Sequence, residues 1–87
     1  MKSELYKRMD RFDSVMCEYQ RANRRTVDYI SERVGCDPSS LWRYRNREDS
    51  FQKMPYCVLC GCLRLANVSN SDLRYICGLP TGTAYEK

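Results

Sequence analysis

The chain has 87 residues, 43% hydrophobic and 30% charged, with 15 Lys plus Arg against 11 Asp plus Glu and a net charge of +4. That length suits one domain with a modest core, and the composition excludes a disordered chain. No apolar run approaches the roughly 18–20 residues of a membrane span, and the absence of histidine removes the commonest general base and mixed zinc ligand.

The first stretch, from about Ser3 to Ala22, places Leu5, Met9, Phe12, Val15, Met16 and Tyr19 at steps of three and four with no Pro or Gly between them. This predicts an amphipathic helix whose polar face carries Lys7, Arg8, Asp10, Asp13 and Glu18. The opening Met1-Lys2-Ser3-Glu4-Leu5-Tyr6 has no apolar core of a signal peptide, so we expect a cytoplasmic protein.

Asn23-Arg24-Arg25 breaks the pattern, and Thr26 is placed to cap a second helix with Asp28 in its first turn. Val27, Ile30 and Val34 form its apolar side, and Gly35 stops it. Asp37-Pro38 reads as an N-cap followed by proline at the first helical position, opening a third helix that runs to about Arg47. Only Leu41 and Tyr44 are clear inward anchors there, so Ser39, Ser40, Trp42, Arg43, Arg45 and Asn46 are expected to face outward. Asp49 to Lys53 reads as a polar connection containing Phe51. A fourth helix starts at Pro55 with Leu59, Cys62, Leu63 and Ala66 on one side. Ser69-Asn70-Ser71-Asp72 resembles a capping box and opens a fifth, with Leu73, Ile76 and Cys77 inward and Gly78-Leu79-Pro80 as its stop. The expectation is an all-α domain of five helices over residues 1–80, followed by a loose tail over 81–87.

Charge is unevenly spread. Arg21, Arg24, Arg25, Arg33, Arg43, Arg45 and Arg47 crowd the middle third, a surplus suited to phosphate or guanine. Two short helices joined by a Gly-containing turn form the helix-turn-helix arrangement, which leaves the outer face of the second helix free to enter a DNA major groove. The run from Thr26 to Leu41 resembles the helix-turn-helix of phage repressors and Cro proteins, whose pattern is roughly Thr-Gln-x-x-Leu-Ala, three residues, Gly-Val-Ser, three residues, Ile. Ile30, Ser31, Gly35, Cys36, Asp37 and Leu41 occupy matching places without a gap, and Val68-Ser69 followed by Leu73 is similar to the element opening the family's last helix. The similarity spans about residues 10–79.

The resemblance implies a five-helix, phage-repressor-like domain that regulates transcription by binding double-stranded DNA without catalysis or cofactor. It also implies symmetric dimers on half-sites about one helical turn apart. Arg43 is the candidate base reader, expected at guanine O6 and N7. Ser39 either finishes the first turn or touches a base or phosphate. Arg45 and Arg47 stand late and are expected on phosphates. Asn46 is either a C-cap or, as the resemblance implies, a backbone contact. Trp42 packs on thymine methyl and sugar, on the core edge, or on a protein. Thr26, Asp37 and Ser40 complete the expected DNA-contacting set. The rival reading is a small protein-interaction module on the same scaffold, because Trp42 replaces the family's small polar residue and Val27 its usual Gln.

Cys57-Val58-Leu59-Cys60-Gly61-Cys62 contains a C-x-x-C spacing that in other contexts binds metal or reacts with disulfides. Inside a helical pattern it reads instead as core packing, with the three thiols reduced, metal-free and mostly buried. No phosphate loop or catalytic carboxylate pair is present, so an enzyme is not expected.

Overall fold

The computed structural model describes residues 2–78. Among these the secondary structure is helical throughout: α1 (Glu4–Asn23), α2 (Val27–Val34), α3 (Pro38–Asn46), α4 (Glu48–Gln52), α5 (Tyr56–Ala66) and α6 (Asn70–Cys77). The tail expected over 81–87, together with the Leu79-Pro80 part of the expected stop, lies outside the described residues. No described helix is long and apolar enough to cross a membrane.

Four of the described helices, α1, α2, α3 and α6, start on a side-chain cap, whereas α4 and α5 have none. Ser3 Oγ accepts from the Tyr6 amide at 3.0 Å, and Thr26 Oγ1 accepts from the Tyr29 amide at 3.1 Å. Asp37 Oδ2 accepts from the Ser39 amide at 3.1 Å, and Ser69 Oγ from the Asp72 amide at 3.2 Å. Such caps satisfy amides that the helix itself leaves unpaired, and each contributes about 1 kcal/mol. Gly35 ends α2 at φ 82°, with nothing near the position a Cβ would take. Its requirement is therefore conformational, the left-handed backbone that other residues adopt only at a cost.

Six helices replace the expected five. The connection read as polar holds α4, and Phe51 on it is 4% exposed. Its ring meets Phe12 of α1 at a centroid distance of 5.8 Å, so the lone aromatic of that segment is a core residue. Burying it contributes roughly 1.5–3 kcal/mol. The rest of the core follows the spacing in large part, but on α5 Val58 is buried without having been expected and Ala66 is only half-buried. Met9, Phe12, Val15 and Met16 come from α1, Ile30 from α2, Leu41 from α3, Leu59, Cys62 and Leu63 from α5, and Ile76 from α6. Helix α1 is the hub, packing against α3, α4, α5 and α6, while α2 rests on α5 and α3.

Arginines tie the last helix to the first. Arg11 meets Asp72 in a two-point pair, Nε to Oδ1 at 3.0 Å and Nη2 to Oδ2 at 2.8 Å. The hydrogen bonds from Arg11 hold the Asp72 carboxyl below its ordinary pKa. Arg8 Nε donates to the Ile76 carbonyl at 3.1 Å, satisfying an acceptor in the last turn of α6.

The cysteines divide by burial. Cys62 is fully buried, and burial pushes its thiol up to about 12, with Cys36 a smaller cause. Cys60 is half-buried and Cys57 is exposed, which corrects the expectation that all three pack inward. Cys57 and Cys62 are five positions apart, so one helix turns them to different sides. No group of three or more Cys, Asp or Glu among the described residues has the geometry of a metal site. We expect iodoacetamide at neutral pH to alkylate Cys57 in the folded protein well before Cys62. Mass spectrometry of the time course checks this, and equal rates would contradict the burial order.

Candidate nucleic-acid interface

Helices α2 and α3 are joined by Gly35, Cys36 and Asp37. Both the Gly35 and Cys36 amides donate to the Ser31 carbonyl at 2.9 Å, closing the end of α2 tightly. Ser31 is itself buried, and its hydroxyl donates to the Asp28 carbonyl at 3.0 Å. Cys36 in the turn has its thiol pKa raised, first by burial and then by the charge of Asp37.

Helix α3 then divides into two faces. Leu41, Tyr44 and Arg45 turn inward, and Leu41 is wholly buried. Ser39, Trp42, Arg43 and Asn46 are all exposed. These four are spaced i, i+3, i+4 and i+7, so they form a single ridge along the helix. No acidic residue stands on α3. Ser40 sits half-buried beside the ridge, and its hydroxyl accepts from Arg43 Nη2 at 3.3 Å. Trp42 is 55% exposed and borders a groove of about 240 Å³ with Asp13, Gln20, Val27, Arg45 and Asn46. The core-edge alternative for Trp42 is thus met only in part, since over half of the residue stays exposed.

The remaining expected site residues fall out as follows. Thr26 and Asp37 are exposed but engaged as caps. The Asn46 amide nitrogen donates to the Trp42 carbonyl at 2.8 Å, and the residue is exposed. Arg47 is exposed and extended in backbone, at φ −126° and ψ 125°, serving both as the end of α3 and the start of α4.

Arg45 requires a correction. Expected to face outward toward phosphate, it is 9% exposed and committed to α1. Its Nε donates to Asp13 Oδ1 at 2.7 Å, its Nη1 to Gln20 Oε1 at 2.7 Å and its Nη2 to Cys17 Sγ at 3.2 Å. Asp13, Cys17 and Gln20 stand at i, i+4 and i+7 on α1, so one guanidinium spans a two-turn stripe of that helix. The sequence held a signal for this: Arg45 follows Leu41 by four positions, which puts it on the inward side of α3. Its role is to fix α3 against α1.

Sequence reasoning counted Arg25 and Arg33 among the basic residues but missed that both stack on Tyr29. The Arg25 guanidinium lies 4.2 Å from the centroid of the Tyr29 ring, and that of Arg33 lies 5.9 Å from it. The i+4 spacing of Arg25 and Tyr29, and of Tyr29 and Arg33, was the available clue.

No protein-family model, curated protein or solved structure matches the chain.

Proposed function

We propose that the chain is a sequence-specific, double-stranded DNA-binding transcriptional regulator of the helix-turn-helix type, similar to phage repressors and Cro proteins, reading the major groove with α3. The observation that carries this reading is the exposed ridge of Ser39, Trp42, Arg43 and Asn46 on a helix without acids. A major groove admits one helix, and short hydroxyls, an amide and an arginine are the groups that read base edges there. Arg47 and the exposed Arg24 and Arg25 supply positive charge for the flanking phosphates. Arg45 drops out of the contacting set and becomes the support on which α3 is aimed. Thr26 and Asp37 contribute by shaping the helix starts. A symmetric dimer on two half-sites remains part of the proposal.

The test is selection of bound duplexes from a random DNA pool, followed by salt titration on the winner. An enriched motif is the expected result. Log affinity should fall with log salt by ~0.9 for every phosphate neutralised. No enrichment, or an affinity indifferent to salt, overturns the reading.

A second reading is favoured by one observation. Trp42 stands in the middle of the ridge with over half its surface in water, and exposed tryptophan is a frequent anchor of protein interfaces. On that reading the same helix docks a protein, and the chain acts as a small inhibitor or antirepressor.

A further inference from the structure

Away from the α3 ridge, α2 and α5 enclose a groove of about 340 Å³ lined by Arg33, Val34, Gly61, Arg64 and Leu65. Gly61 sets how closely its two helices approach. A Cβ at that position would stand 3.1 Å from Val34 Cγ1, so the missing side chain is what lets the last turn of α2 settle on α5. Gly61, Arg64 and Leu65 are spaced i, i+3 and i+4, forming one line along α5. Val34 and Leu65 are half-buried and give the groove an apolar floor. Arg33 and Arg64 are exposed at its rim, and neither has a carboxylate partner among the described residues.

We propose that this groove docks an acidic peptide segment of a partner protein, one that carries carboxylates beside an apolar side chain. Two guanidinium groups without carboxylate partners attract carboxylates and can hold them through paired N–H donors. Each stands in the last turn of its helix and there answers the negative helix end, but that end amounts to roughly half a charge, so positive charge is left over at the rim. Arg33 is also partly pre-set by the Tyr29 ring, which lowers the ordering cost of binding. The apolar floor decides between ligands. A DNA backbone would satisfy the arginines and leave Val34 and Leu65 in water, whereas a leucine or phenylalanine of a peptide covers them. The groove is thus an interaction surface separate from the reading ridge, and the proposal stands whether or not α3 reads DNA.

The experiment titrates isotope-labelled full-length protein with a blocked peptide of alternating glutamate and leucine, followed by amide NMR shifts. A peptide with lysine in place of glutamate is the control. The expected result is saturable shifts at Arg33, Val34, Gly61, Arg64 and Leu65 with the acidic peptide alone. Arg33→Glu/Arg64→Glu should weaken that binding tenfold or more, and Arg64→Ala, a milder change, should weaken it severalfold. Fluorescence anisotropy of a labelled random-sequence duplex is measured on the same variants. No shift up to millimolar peptide, equal binding of the lysine peptide, or shifts confined to α3 overturns the proposal. So does a loss of duplex affinity as large as the loss of peptide affinity, which would make the groove a phosphate contact. Absence of duplex binding by the parent protein, with peptide binding intact, would count against the DNA reading only.

Discussion

Arg45→Ala is expected to destabilise the fold by about 2–4 kcal/mol, the largest stability effect of any single charged residue described. The side chain makes three hydrogen bonds to α1, one of them to a carboxylate, from a position 9% exposed. Truncation removes all three and leaves Gln20 without its donor. The loss stays below that of a fully buried ion pair because the Asp13 side chain is 33% exposed and water can reach it. For a domain of this size each kcal/mol shifts Tm by ~4–8 °C, so a fall of about 10 °C or more should appear in a thermal melt followed by circular dichroism. Asp13→Ala should cost less, since it takes one bond of the three. Arg45→Met retains the packing of the stem and separates that part from the polar part. A shift below about 2 °C for Arg45→Ala would show that the guanidinium does not bind α3 to α1.

The same residue marks where the sequence is legible and where it is not. The buried stripe of α1 is readable because twenty uninterrupted residues repeat one period, enough for the pattern to stand above chance. The caps at Thr26, Asp37 and Ser69 are readable because a single side chain meets its amide two or three residues away. Helix α4 offers neither signal. It has five residues, no side-chain cap and an exposed arginine as its first boundary, so one buried phenylalanine had no periodic partners to reveal it. Arg45 looked solvent-facing because arginine is rarely buried without a partner, and its partners lie 25–32 positions earlier. Local spacing gave its side of the helix; only the packing of α3 across α1 supplies the carboxylate and amide that make burial affordable. The ridge of α3, by contrast, follows directly from spacing once the inward positions are known.

Substitution of that ridge should separate reading from holding. Arg43→Ala is expected to cost ~1–3 kcal/mol on the preferred duplex and to relax preference at one base position. Arg43 is exposed, central on α3, and steadied by Ser40 Oγ at 3.3 Å, which limits the rotamers lost on contact. Arg43→Lys should recover little of the discrimination, because an ammonium cannot make the paired contact with guanine O6 and N7. Arg47→Ala should instead weaken preferred and unrelated duplexes alike and reduce the salt slope by about one, as expected for a phosphate contact. Arg47 leaves α3 in an extended backbone at its end, beyond the ridge that a groove would enclose. Each alanine variant removes one positive charge, so the comparison controls for charge, and equal thermal midpoints control for folding. Equal, uniform losses from both would show that α3 positions the domain without reading sequence. If neither altered duplex binding while Trp42→Ala abolished capture of a protein partner, the interaction-module reading would replace the DNA one.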